Sequence, residues 1–202
     1  MKVGSIENCS SNGKIIGFST NYAFNFGGLV GSNYGTINNC FNNADIEGYI
    51  TDSSTVDCEL RLGGICGSVE ENQELLNCYN NGKISVISNV SCNSLANYYV
   101  GGICGKQNGN IKNCYAVGGF EKNIDSYKRL YIGKITGMAR ATREKIYSLN
   151  NAIATYVDEA IIKAESEMKS ADFVDLLNEG LETAIWKKDT GINNGYPILY
   201  WQ

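Results

Sequence analysis

The chain has 202 residues, 17 basic against 21 acidic side chains, and no histidine. Its length suits one domain with a small appendage, and its slightly negative charge offers nucleic acid no electrostatic footprint. The missing histidines exclude Ser-His-Asp and Cys-His nucleophile pairs, His-ligated zinc and the HExxH metallopeptidase motif together.

Gly is abundant at 23 residues and Pro occurs once, a mix that fits a turn-rich β protein better than a helical one. Met1-Lys2-Val3 runs straight into GSIENCSSNGKI (residues 4–15), so no signal peptide is expected. The chain reads as beginning inside a repeat, as a piece of a longer protein would. Three fuller copies follow: GGLVGSNYGTINNCFNNADI (27–46), GGICGSVEENQELLNCYNNGKI (63–84) and GGICGKQNGNIKNCYAVGGF (101–120). Counted between Cys9, Cys40, Cys78 and Cys114, the copies recur every 31 to 38 residues.

Each copy opens on Gly-Gly-apolar-x-Gly, continues through a variable loop, and then presents apolar-x-Asn-Cys. A further apolar residue follows six positions later: Ile15, Ile46, Ile84 and Phe120. The apolar blocks are short, alternate at period two and are bounded by Gly and Asn, which predicts strands. A unit this small buries its apolar side only by stacking on its neighbours. The expected fold is all-β: a β-solenoid of the right-handed parallel β-helix kind, each copy giving three or four strands. With strands about 4.8 Å apart, the stack would be roughly 20 Å long.

Strict alternation would put Ile and Cys on opposite faces. If both face the core, the chain bends at Asn8, Asn39, Asn77 and Asn113, a residue type that tolerates the left-handed conformation. Stacked coils would then align these four as a hydrogen-bonded ladder. Cys9, Cys40, Cys78 and Cys114 form one row, Cys66 and Cys104 a second, and Cys58 and Cys92 sit in less regular segments. Free buried thiols, disulfides and a metal site are the three readings. Stacked residues have parallel Cβ vectors, which favours the first, and a row spreads ligands along a line instead of converging them.

A degenerate copy spans 133–153. Gly133-Lys134-Ile135-Thr136-Gly137 echoes GGICG. In Ile146-Tyr147-Ser148-Leu149-Asn150-Asn151, Leu149 takes the Cys place and Ser148 the Asn place. Leu replaces a small buried filler but not a ligand or nucleophile. The basic residues Lys122, Lys128, Arg129, Lys134, Arg140, Arg143 and Lys145 are interrupted by acids and read as solvated surface.

The pattern changes near Thr155. Ser170 is a good N-cap for a helix over Ala171–Asn178. An extended stretch at Trp186, a turn at 191–195 and a short strand at 196–201 complete the chain. Residues 1–154 are assigned to the solenoid and 155–202 to a small α+β C-terminal cap, expected to cover the last coil.

GGLVGSNYGTINNC, GGICGSVEENQELLNC and GGICGKQNGNIKNC resemble the GLUG-motif repeats of bacterial cell-surface proteins, including immunoglobulin A peptidases. MKSADFVDLLN and WKKDTGINNGYPILYW are similar to the segment that closes such arrays in secreted proteins of Gram-positive gut bacteria. The resemblance implies a secreted or wall-attached, extracellular β-solenoid. It implies no activity; the zinc site of the peptidases lies outside their repeats.

The expected function is a non-catalytic surface module, a stalk or adhesion segment. Its partners would be a host or bacterial surface glycan or protein, and further domains of the same chain. No catalytic residue, metal ligand or cofactor is assigned, no nucleic acid partner is expected, and no run of residues is apolar enough to span a bilayer. Phe41, Tyr79 and Tyr115, just after the cysteines, are the candidate ligand contacts if their rings are exposed to stack on sugars. Loops 68–74 and 52–57 are the candidate contact surfaces. Two alternatives remain. A carbohydrate-active β-helix enzyme, lyase or glycosidase, would cleave glycans with paired carboxylates or an Arg/Lys base, yet Asp45, Asp52, Asp57, Glu59, Glu70, Glu71, Glu74, Asp172 and Asp175 are not in register across copies. A calcium-stabilised repeat would carry Asp-x-Asp or GGxGxD patterns, which are absent.

Overall fold

The structure, a computed structural model, describes residues 4–19, 24–50, 59–88, 97–124, 129–150, 154–156 and 158–202. The repeats stack as parallel coils, and each coil contributes to four walls. The first wall holds Ser5–Glu7, Thr36–Asn38, Glu74–Leu76, Asn110–Ala116, Arg143–Leu149 and Ile161–Lys163, with Ser10–Ser11, Phe41–Asn42 and Tyr79–Asn80 beyond its bend. The second holds Lys14–Ser19, Asp45–Ile50, Ile84–Ser88 and Phe120–Asn123. The third holds Phe24–Gly27, Glu59–Gly63, Asn97–Gly101 and Leu130–Gly133, and the fourth Val30–Asn33, Cys66–Val69, Cys104–Gln107 and Thr136–Ala139.

Register follows the repeat. Ile37 pairs with Ile6 and Leu75, and Leu75 with Ile111. Ile46 pairs with Ile15 and Ile84, and Ile84 with Phe120. Gly27, Gly63, Gly101 and Gly133 align at the corner between the third and fourth walls. The corner explains the Gly-Gly pair. A Cβ on Gly63 would lie 2.1 Å from the Cys66 carbonyl oxygen, and one on Gly64 would lie 2.1 Å from that of Gly102. The turn within one coil at Gly63 and the approach of the next coil at Gly64 leave no room for a side chain at either position.

The Asn bend is present. Asn8, Asn39, Asn77 and Asn113 have φ of 52°, 54°, 50° and 55°, which turns both Ile37 and Cys40 into the core. The degenerate copy is in a different register from the one its sequence suggested. Cys114 pairs with Ile146 and Tyr115 with Tyr147, so Ile146 holds the Cys place and Lys145, at φ 51°, the Asn place. Leu149 and Ser148 lie three residues further on. An aliphatic residue still replaces the cysteine.

Three clusters bury the apolar groups. One lies between the first and fourth walls and contains the cysteines. A second lies between the second and third walls, around Ile46, Leu62, Ile84 and Val100. The third lies outside the coils, between the first wall and the tail.

The tail contains two helices, α1 (Glu165–Met168) and α2 (Ala171–Asn178), and an antiparallel pair, Trp186–Lys187 with Ile198–Leu199. The Ser170 hydroxyl caps α2 by accepting from Phe173 N at 3.1 Å. The Asn178 side chain fastens α2 to the next strand, accepting from Ile185 N and Trp186 N and donating to Trp186 O. The tail divides: Thr155, Asp158 and Ile161–Lys163 meet the last coil, and the remainder takes a second place. It lies along the side of the stack: Trp201 contacts Phe41, Trp186 contacts Tyr79 and Tyr115, and Phe173 contacts Tyr115 and Tyr147.

At the last coil the first residues of the tail receive the backbone donors. In the preceding coil, Ile103 N and Cys104 N donate to Ile135 O at 2.9 and 3.0 Å. One coil later, Ile135 N and Thr136 N donate to a single Asp158 carboxylate oxygen, the second at 2.7 Å. The side chain stands where the next carbonyl would. Thr155 Oγ1 similarly accepts from Ile132 N and donates to Leu130 O, both at 2.9 Å, and Ile161–Lys163 extends the first wall.

Candidate functional site

The residue after each cysteine points away from the core, because side chains alternate along a strand. This alternation builds an aromatic column. Phe41, Tyr79 and Tyr115 stack with centroids 5.0 Å apart and planes within 4°, and Tyr147 follows in register. The column is not an open platform. Tyr79 and Tyr115 are 0% exposed and Phe41 6%, because the tail lies over them. The Tyr115 hydroxyl is also engaged, donating to Pro197 O and accepting from Asn193 Nδ2. Tyr79 exchanges hydrogen bonds with the Gln202 side-chain amide. Burial raises both phenols above the ordinary tyrosine range. These three candidate contacts are therefore packing groups, and a sugar would have to displace the tail to reach them.

The cysteine rows are enclosed except at Cys9. Cys40, Cys66, Cys78, Cys104 and Cys114 are buried and free, and Cys9 is free and exposed; Cys58 and Cys92 lie outside the described residues. Cys66 and Cys104 are register partners. Burial raises the Cys66 and Cys78 thiols. A hydrogen bond to Cys78, followed by burial, raises Cys40. Thiols so shifted carry no thiolate at neutral pH and make poor nucleophiles or ligands.

The asparagine row forms only in part. Asn113 Nδ2 donates to Asn77 Oδ1 at 2.7 Å, but Asn77 Nδ2 turns to Asn38 Oδ1 instead of Asn39. A second ladder went unread in the sequence. Asn42 and Asn80, two residues after their cysteines, are 0% exposed. Asn42 Nδ2 donates to Asn80 Oδ1 at 2.8 Å, and each amide closes a turn onto the residue two further on. The shared Cys-aromatic-Asn-Asn of two copies was its signal.

Among the candidate carboxylates, Glu59 and Glu70 converge on Arg61. Glu59 pairs with Lys106 at 2.8 Å and with Arg61, and Arg61 also lies 3.9 Å from Glu70. Burial opposes ionisation of Glu59, yet hydrogen bonds from Lys106 and Arg61 outweigh it and hold the carboxyl below its usual range. In loop 68–74, Ser68 is buried and donates to Glu70 at 2.7 Å, while Glu71, Asn72 and Glu74 are exposed. Loop 52–57 lies outside the described residues.

A polar groove of about 670 Å³ borders the tail, lined by Asp45, Lys83, Gly119, Glu165, Lys169 and Tyr196 among others. Lys169 pairs with Glu165 at 2.7 Å and lies 4.7 Å from the centre of the Tyr196 ring. Burial, then the Glu165 charge, push the Tyr196 phenol up to about 12. Large apolar groups stand open elsewhere: Ile16 and Phe18 on the second wall, Tyr34 at a coil corner, and Tyr200 and Trp201 at the end of the tail. Phe18 stacks on Tyr49 at 5.2 Å.

The GLUG motif family model matches at residues 22–47 and 96–120. No curated protein matches the sequence. Among solved structures, a "putative immunoglobulin A1 protease" from Bacteroides ovatus superposes with a TM-score of 0.65 at 22% identity, over 98% of this chain and 58% of that one. At that identity the likeness concerns the fold, and this chain spans 58% of the other protein's length. Residues 63–84 stand between the two matched segments in unbroken register with both. The chain thus carries GLUG-motif repeats, matched at two places in one stack of coils.

Proposed function

We propose that the chain is a non-catalytic module of a secreted or surface-attached bacterial protein, holding exposed groups along a short rod for adhesion or spacing. The observation that carries this reading is the division of labour in each coil. Groups that recur with the repeat are spent on packing: thiols, core Ile, and aromatic rings beneath the tail. Groups that differ between coils, such as Phe18 and Tyr34, stand open. The Glu59–Glu70 pair argues the same way, since a glycosidase acid needs a raised pKa and Glu59 is lowered.

On this reading the coil is right-handed, as parallel crossovers nearly always are. Residues 1–154 form the rod and 155–202 its closure. Asp158 and Thr155 end the sheets, and the rest of the tail protects the side. The Bacteroides ovatus likeness and the GLUG repeats support an extracellular setting.

The test is a binding screen of the purified chain against arrayed glycans and matrix proteins. Each hit is then remeasured with Phe18→Ser and Tyr34→Ser. Weakened binding by either variant is the expected result. Turnover of any glycan or peptide by the purified chain would overturn the non-catalytic reading.

A further inference from the structure

The two ends of the stack are built differently. At the tail end, Thr155 and Asp158 take up backbone donors of the third and fourth walls, and Ile161–Lys163 adds a strand to the first. At the head, the outermost strands of all four walls pair on one side alone among the described residues: Ser5–Glu7 with Ser10–Ser11, Lys14–Ser19, Phe24–Gly27 and Val30–Asn33. The core is open at the same place. Ile6, Ile15, Phe24, Phe26 and Val30 are only partly buried, whereas their register partners Ile37, Ile46, Leu60, Leu62 and Cys66 are at most 2% exposed.

The first coil carries little that protects such an edge. Proteins blunt an open strand with Lys, Pro, a bulge or a covering helix. Residues 4–19 and 24–33 hold no Pro and two charged side chains, Glu7 and Lys14, and Lys14 pairs with Glu47 of the next coil at 2.8 Å. The longest head strand is Lys14–Ser19, six residues. One coil on, Asp45 N donates back to Gly13 O and Ile46 N forward to Lys83 O. The same alternation turns the N–H and carbonyl groups of Lys14, Ile16 and Phe18 toward the open end.

A neighbour must offer its own unpaired edges and an equally uncharged rim. The tail end offers neither: its third and fourth walls are stopped, and the second ends on Phe120–Asn123 with Glu121 and Lys122 exposed. Another head offers both. Two heads meet across a two-fold axis, which presents the same patch twice and sets the facing strands antiparallel. We propose that the head of the rod is a self-association surface, where a second copy docks head to head and Lys14–Ser19 pairs with its own counterpart. Pairing runs in the plane of the wall, so Phe18 still projects from the outer face. The inference goes beyond the surface-module reading and does not depend on what the outer faces bind.

The test is sedimentation equilibrium of the chain up to about 1 mM, with amide exchange followed by NMR. Reductant is present throughout, because Cys9 is exposed at the head. The expected result is a monomer–dimer equilibrium in which the Lys14, Ile16 and Phe18 amides exchange more slowly as the dimer fills. Ile16→Pro removes an edge donor where an edge strand tolerates Pro. Ile16→Lys, at a position 49% exposed, brings like charges together. Each should weaken the dimer by about tenfold or more while the spectrum stays that of a folded chain. Lys122→Pro removes a donor from the opposite edge of the same wall and should leave the dimer unchanged. Four results would overturn the proposal: monomer at every concentration, open-ended oligomers in place of a dimer, undiminished dimer in a folded Ile16 variant, or loss of the dimer in folded Lys122→Pro.

Discussion

Two stacks of rings on this rod have nearly the same spacing and opposite surroundings. Phe41, Tyr79 and Tyr115 stack at 5.0 Å on the first wall and are buried. Phe18 and Tyr49 stack at 5.2 Å on the second wall, and Phe18 is 58% exposed. Stacking comes from the register of the coils, so any outward column of aromatics produces it. Coverage comes from a segment outside the repeat. A repeated aromatic is therefore not a binding platform on its own evidence; what lies across it decides.

The largest contrast is expected from cutting at the cover. Phe173→Ala removes a ring that meets both Tyr115 and Tyr147 edge-on and should cost about 3–5 kcal/mol in urea unfolding. A cost under about 1 kcal/mol would mean that the tail rests loosely on the column. Next in size is the closure of the last coil. Asp158→Ala leaves two buried N–H groups unpaired and should cost about 2–5 kcal/mol. Asp158→Asn keeps an oxygen for both and should recover most of that loss; equal melting temperatures for the two variants would refute the carbonyl-mimic account.

Alkaline titration separates the two stacks more gently. The fold favours the neutral Tyr196 phenol, which burial and Glu165 push up to about 12. Its contribution is complete below about pH 10 and is lost as pH rises from there through the folded value of about 12. Tyr196→Phe should flatten the alkaline fall in stability, read from the denaturation midpoint between about pH 10 and 12. Tyr79 and Tyr115, raised in the same direction, should keep part of it. The smallest effect is expected on the open stack: Phe18→Ser should change stability by less than about 1 kcal/mol. A larger loss would show that the exposed ring supports the fold.

The sequence already carried the coil, because its information is local and repeated. Gly63 and Gly64 mark a corner, Asn39 a left-handed bend, and Ile37 with Cys40 the core. The degenerate copy was harder. Lys145 holds a left-handed position that favours Asn, and Arg143 stands opposite Ile111, so the motif residues that would anchor an alignment are missing. Tyr147 was the surviving landmark. The place of the tail was not legible for a different reason. Phe173, Leu177 and Trp186 declare an apolar face without naming its partner, and the last coil and the aromatic column were both available.

Hydroxyl-radical footprinting with residue-level mass spectrometry tests the central claim most directly, since it reads both stacks in one native sample. Phe18 and Tyr34 should be oxidised rapidly. Phe41, Tyr79 and Tyr115 should stay protected until the chain is denatured. Oxidation of Tyr79 and Tyr115 in the native protein at the rate of Phe18 would contradict the account and return the column to the surface.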